Sequence, residues 1–139
     1  MAGISTKDTS LSYKVGLGTY AELAGLLEVP ELGGAPEKID TTTLADAYRQ
    51  NIPGIRDMGD LVFKFLYDNS GATANYRVLK GLQADESLAT FKVEYPDGTA
   101  HEFDAYVTVS MDSAAVNGAL TFSATLMLQS DLTITDPVV

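Results

Sequence analysis

The sequence contains no cysteine and no tryptophan, and its 139 residues include a single histidine, His101. Without cysteine there is no disulfide framework, no thiolate metal site and no cysteine nucleophile. Without tryptophan or clustered aromatics, a sugar-stacking platform lacks its usual material. Cations are scarce as well: nine Lys and Arg stand against nineteen Asp and Glu, a formal net charge of −10, and no stretch gathers the cations together. Tight nucleic-acid binding works by neutralising phosphates, so this balance argues against it. No run reaches the ~20 apolar residues of a membrane-spanning helix, and the first residues lack the apolar centre of a signal peptide. A cytoplasmic product with no membrane partner is the expectation.

What remains is ordinary globular material, 45% apolar and 20% charged, in a length that suits one domain over residues 1–139. Both ends, residues 1–9 and 129–139, are short and polar or proline-containing and read as flexible arms. Between them the dominant period is two. Ser10–Val15 alternates Leu11, Tyr13 and Val15 with polar partners; Tyr20–Val29 and Glu37–Thr43 are extended runs that read together as a hairpin with a long loop. Residues 44–59, with Pro53, Gly54 and Gly59, keep neither period and read as a loop of roughly 16 residues, long enough to imply a use. Leu61–Tyr67 alternates, with Leu61, Phe63 and Phe65 on one face and Val62, Lys64 and Leu66 on the other; neither face is wholly polar, so the strand is either central in a sandwich or has one face covered by a neighbouring chain.

Ala72–Leu82 predicts the one helix, with Ser70 as its cap, Ala72, Tyr76, Leu79 and Leu82 as its apolar stripe, Arg77 and Lys80 in its later turns and Gly81 near its end. Leu88–Tyr95, the turn Pro96-Asp97-Gly98 and Thr99–Ser110 spell out a β-hairpin whose apolar face carries Phe91, Val93, Phe103, Ala105 and Val107. Val116–Leu128 alternates as a final strand. These elements predict a mainly β fold, a β-sandwich or barrel-like sheet with one short flanking α-helix.

Chemistry does not assemble on this frame. His101 falls on the opposite strand face from Glu102 and Asp104, so the three do not converge on a metal. Acid pairs such as Asp57 with Asp60, Asp85 with Glu86, or Glu94 with Asp97 sit beside turns, where capping and solvation account for them. Gly16-Leu17-Gly18 and Gly33-Gly34 lack nucleotide-fingerprint spacing, and no serine sits in an elbow motif. The expectation is a protein with no catalytic residues, no metal and no cofactor: not an enzyme.

The segments Leu26-Leu-Glu-Val-Pro-Glu-Leu-Gly-Gly-Ala-Pro-Glu-Lys-Ile-Asp-Thr-Thr-Thr-Leu44 and Asn51-Ile-Pro-Gly-Ile-Arg-Asp-Met-Gly-Asp-Leu-Val-Phe63 resemble the tail tube proteins of long-tailed, non-contractile bacteriophages. The helix with Tyr76 and Leu79, the Tyr-Pro-Asp-Gly hairpin, Phe103-Asp-Ala-Tyr-Val107 and the Thr/Ser-alternating Leu120–Leu128 follow in the family's order, so the resemblance covers roughly residues 20–130. It implies a structural subunit of the virion tail, assembled in the host cytoplasm. Six copies close a ring-shaped β-barrel, and rings stack into a hollow conduit for DNA ejection. By the same resemblance its partners are further copies of itself and the tail tip, tape measure and tail terminator proteins, with duplex DNA passing without specific binding.

An acidic lumen would repel that DNA. Its lining is expected from Lys92, Glu94, Glu102 and Asp104, or from Thr121, Ser123 and Thr125; the sequence does not choose. The 44–59 loop, with Leu44, Asp46, Tyr48, Arg49, Ile52, Pro53, Ile55 and Arg56, is the expected ring or stacking interface. Some members carry an added immunoglobulin-like domain; the sequence here stops at Val139, and a tube with a smooth outer surface is the expectation. The inner tube of a contractile tail or a secretion-type injection system is the alternative; a carbohydrate-binding sandwich and a hydrolase follow at a distance.

Overall fold

A computed structural model describes residues 3–33, 36–56, 60–114, 116, 118–130 and 132–137, with backbone alone for Pro36, Ile55 and Arg56. The elements are β1 (Ser10–Lys14), β2 (Ala21–Leu23), β3 (Leu26–Glu28), β4 (Pro36–Asp40), β5 (Asn51–Arg56), β6 (Asp60–Leu66), α1 (Asn75–Ala84), β7 (Ala89–Glu94), β8 (Ala100–Met111), β9 (Thr121–Leu128) and β10 (Thr133–Thr135). The main sheet is antiparallel and runs β2-β1-β7-β8-β9-β6-β3, with β10 added to β8 beyond the end of β9.

The order of strands forces the sheet to roll. Strands β2 and β3 lie at opposite ends of the path, and a flat sheet of this width would hold them roughly 29 Å apart at about 4.8 Å per strand. Yet only Ala24 and Gly25 separate them in sequence, and three Cα steps reach at most about 11 Å. The two edges must therefore meet, giving the barrel-like sheet that the alternation predicted. Its inner face is the core. All five phenylalanines, Phe63, Phe65, Phe91, Phe103 and Phe122, are buried there with Leu11, Leu23, Leu61 and Leu126, each worth about 1.5–3 kcal/mol on leaving water. Phe65 stacks on Phe122 with centroids 5.3 Å apart, and Tyr76 meets Phe122 edge-on.

The closure is locked by Asn75, the one buried polar side chain among the described residues. Its Nδ2 donates to the carbonyls of Ala24 (2.7 Å) and Leu66 (2.8 Å), while Oδ1 accepts from the N–H groups of Asp68 and Tyr76. One amide thus ties the β2–β3 corner to the end of β6 and to the start of the helix. Gly25 makes the corner at φ +80°, and a Cβ there would lie 2.9 Å from Asn75 Nδ2 and 3.2 Å from the Leu66 carbonyl. Both the handedness and the space demand glycine.

Helix α1 seals the barrel with Leu79 and Leu82. It also serves β8 where β7 has ended: Gln83 Oε1 accepts the Val109 N–H at 2.9 Å. The helix begins three residues later than Ala72 and runs two past Leu82. Ser70 is not its cap, because Asp68 Oδ1 takes both the Ser70 N–H and hydroxyl. Arg77 consequently sits in the first turn, donating to Asn69. Gly81 lies inside the helix, and the left-handed residue after its end is Glu86, at φ 52°.

Other boundaries also differ from expectation. Tyr20–Val29 is broken at Gly25 into β2 and β3, which pair with β1 and β6 rather than with the Glu37–Thr43 run. That run, shortened to β4, pairs instead with β5, inside the segment expected to be a loop. The final strand starts at Thr121, not Val116, and Val116 is 92% exposed. In the C-terminal segment, β10 pairs with β8 through Thr133–Thr135.

Candidate assembly surfaces

Several of the titratable groups weighed for chemistry serve local structure. His101 packs edge-on against Tyr95, whose hydroxyl lies 3.2 Å from His101 Nδ1, and burial pushes the Tyr95 hydroxyl up from its usual value. Asp97 closes its turn by accepting the Thr99 N–H, which holds its carboxyl below the ordinary range. Asp85 and Glu86 form the end of the helix, Glu94 lies 3.9 Å from Lys92, and Asp57 lies outside the described residues. Among the described residues no three His, Asp or Glu side chains gather as a metal site would require.

Two surfaces stand out instead. The first is the outer face of the rolled sheet. Because Phe91, Phe103, Phe122, Ala124 and Leu126 point inward, their alternating neighbours point outward, and the registers place Lys92 beside Glu102 and Thr90 beside Asp104. Across the next ladder Thr108 faces Thr125 and Ser110 faces Ser123. The charged set Lys92, Glu94, Glu102, Asp104 and the hydroxyl set Thr121, Ser123, Thr125 are therefore parts of one continuous face, although the sequence offered them as alternatives.

The two parts are built differently. In the charged half, Tyr20 lies on the face with Lys14 Nζ 4.8 Å and Lys92 Nζ 5.4 Å from its ring. Its hydroxyl is buried without a hydrogen-bond partner, and its pKa is raised first by burial and then by Glu102 and Asp104. Thr90 donates to Asp104 at 2.7 Å. In the hydroxyl half, Asp112 accepts from Ser123 (2.7 Å) and Thr121 (2.8 Å). Those bonds lower its pKa, with a smaller contribution from Lys64. Seven acids (Glu22, Glu28, Asp60, Glu94, Glu102, Asp104, Asp112) share the face with three lysines (Lys14, Lys64, Lys92), so it is acidic by four charges.

The second surface is the β4–β5 hairpin, a two-stranded sheet of its own. Its loop is braced from within. Asp40 takes the Thr42 N–H and the Arg49 guanidinium, both close to 2.8–2.9 Å, and Asp46 takes the Thr43 N–H at 2.8 Å. The Thr42 hydroxyl and Gln50 backbone complete the closure. The tip is thus ordered, yet Leu44 is 109% and Tyr48 83% exposed, with Ile39 and Ile52 about half exposed along the stem. A lone two-stranded hairpin is marginal in water, and apolar side chains held out this fully mark a contact surface. Of the interface candidates, Leu44, Asp46, Tyr48 and Arg49 lie in the loop and Ile52 and Pro53 on β5; the side chains of Ile55 and Arg56 lie outside those described.

Sequence reasoning missed a groove of about 470 Å³ beside β3, lined by Leu26, Leu27, Val29, Leu32 and Tyr95 with Glu28 and Glu31. Its only trace in the sequence is the apolar density of Leu26–Leu32, which reads equally as strand.

The fold is similar to that of chains in three solved assemblies. One comes from the tail of an empty gene transfer agent particle refined with C6 symmetry (TM-score 0.73, 18% identity, 96% of this chain and 99% of that one). Another comes from the virion of a native gene transfer agent particle (0.70, 16%, 96% and 99%). The third comes from the six-fold symmetrised baseplate of the anti-feeding prophage (0.72, 12%, 98% and 97%). Comparison with curated protein sequences gave no match. The family described as phage tail tube protein matches residues 1–137, and the chain, a structural component of the virion tail, belongs to it.

Proposed function

We propose that six copies of this chain, each acting as one tail tube domain over residues 1–139, close into a ring and that rings stack through the β4–β5 hairpin into a conduit for DNA. The observation that carries the reading is the hairpin: an internally braced tip that holds Leu44 and Tyr48 in water has no purpose within the monomer. The six-fold symmetry of the similar assemblies supports the ring. A ring also gives the outer face of β7, β8 and β9 its role as lumen. Its acidic excess repels phosphates at the short range that physiological salt allows, about 8 Å, and six copies multiply it, so that duplex DNA slides without being bound. The role is mechanical, with no reaction catalysed. The remaining partners are the proteins that start, measure and end such a tube, met in the host cytoplasm.

The test is electron microscopy of the purified chain beside Leu44→Ser/Tyr48→Ser, alone and with tail tip complexes. The parent is expected to form hollow tubes; the variant keeps the same circular dichroism and thermal midpoint but stops at rings. Long tubes from the variant overturn the assignment of the hairpin to stacking.

A further inference from the structure

We infer that the groove beside β3 is the socket for the hairpin tip of a second copy, the next one along the stack; this rests on the hairpin being the stacking element. The groove is apolar where Leu27, Leu32 and Tyr95 line it and acidic at Glu28 and Glu31, with no Lys or Arg in its lining. It continues across Tyr95 into a shallower depression that adds Ile4 and Asp97, again without a cation. The hairpin tip is the complement. Leu44 and Tyr48 supply apolar bulk, and Arg49, with its side chain 80% exposed, gives one nitrogen to Asp40 and leaves its other donors free. The tip acids are already satisfied, Asp40 by Thr42 and Arg49 and Asp46 by Thr43. The tip therefore presents a cation together with apolar groups to a groove that presents carboxylates together with apolar groups.

A tip cannot fill the groove of its own chain. The chain leaves the groove at Leu32 and enters β4 at Pro36, and the five residues of β4 span about 17 Å between that point and the tip. The exposure of Leu44 and Tyr48 means that neither side chain is seated in a groove formed by the described residues of its own molecule. A knob at one place and a socket at another form a heterologous contact, which propagates head to tail instead of closing on a dimer. That is the contact a stack requires.

Because the chain has no cysteine, the test is clean. Leu44→Cys and Leu27→Cys are introduced together and singly in the full chain, assembled tubes are oxidised, and the products are separated without reductant. The double variant is expected to give a ladder of covalent multimers. Each single variant stays monomeric, and so does a control joining Leu44→Cys to Leu17→Cys at the far β1–β2 turn. Tubes seen by microscopy with no ladder, or an equal ladder from the control, overturn the socket while leaving the stacking hairpin intact. A chain that forms no tubes even with tail tip complexes overturns both. As a second arm, Arg49→Glu is expected to suppress tube formation and Glu28→Arg/Glu31→Arg to restore it; absence of restoration counts against the pairing.

Discussion

Replacing Asn75 by alanine is expected to be among the most damaging single changes outside the phenylalanine core. The amide makes four hydrogen bonds at a site that is 3% exposed, two donated to the carbonyls of Ala24 and Leu66 and two accepted from Asp68 and Tyr76. Alanine removes all four; the Tyr76 N–H keeps its bond to the Asp68 carbonyl (3.2 Å), while the Ala24 and Leu66 carbonyls and the Asp68 N–H lose this partner, at about 1–3 kcal/mol for each group that water cannot reach. With partial relaxation the total comes to about 3–5 kcal/mol, a large part of the roughly 5–15 kcal/mol that holds a domain together. At a urea slope of about 1.5 kcal/mol per molar, the midpoint should fall by about 2–3 M. The signal is far-ultraviolet circular dichroism, since the chain has no tryptophan. A fall of less than about 0.7 M, equivalent to ~1 kcal/mol on that slope, refutes the idea that this amide fastens the closure.

Asn75→Asp sharpens the test because it nearly preserves shape. An ionised carboxylate would keep the Asp68 and Tyr76 N–H bonds on one oxygen but set the other against the two carbonyl oxygens that the amide now serves, and burial with that lone-pair repulsion outweighs the two donors and raises its folded pKa above the ordinary aspartate value near 3.9. The folded state then keeps a proton that the unfolded chain releases. Stability of this variant must fall as pH rises from about 4 through the raised value, and it is recovered below. A midpoint that is flat across that window, once the parent's own profile is subtracted, removes the burial argument.

Gly25→Ala should cost about 1–3 kcal/mol from its left-handed backbone and the encroachment on Asn75 and Leu66, and a double-mutant cycle with Asn75→Ala should show less than additive loss because one clashing atom is gone. Asp112 is held below the ordinary carboxyl range by Ser123 and Thr121. Its contribution is complete above about pH 4 and is lost as pH falls through its lower folded value, so Asp112→Asn should flatten the acid limb of a thermal-midpoint profile. Thr108→Lys with Thr125→Lys places two cations opposite each other on the outer face without breaking a bond described above; particles should assemble normally but deliver DNA poorly, less so at higher salt. Normal delivery at low salt counts against that face as lumen.

The parts of the fold legible in the sequence were those whose signals are local. The β7–β8 hairpin carries both an alternating pattern and its turn, and its strands differ from the reading only at their ends. Strand β5 was hidden because Pro53 and Gly54 read as breakers. With a single partner strand, β5 can lack one donor, and Gly54 is there because a Cβ would come within 3.0 Å of the Glu37 carbonyl. The break at Gly25 was equally invisible: nothing near it in sequence announces that Asn75, fifty residues later, will occupy the space a side chain would need. The lumen candidates could be named but not joined, since residue parity is local while the β8–β9 register is set by a strand that begins later than its pattern suggests.

The positions of these features divide the chain's tasks. The buried cluster takes residues from before Leu32 and after Asp60 and none from the described residues of the hairpin between them. Rolling the sheet commits its inner face entirely to folding, so contact with other copies falls to the surfaces outside it, among them the outer face, the strand edges and the hairpin. Part of one edge is open: β3 pairs with β6 only at Lys64 and Phe65, leaving Asp60–Phe63 without a strand on that side among the described residues. An exposed edge invites uncontrolled pairing, whereas a braced tip that carries an arginine together with exposed leucine and tyrosine side chains is selective about what it meets. Damage at Asn75 or Gly25 must therefore appear as loss of the monomer, and damage at Leu44, Tyr48 or Arg49 as loss of the tube with the monomer untouched. An overlap of the two phenotypes would mean that the hairpin is part of the fold after all.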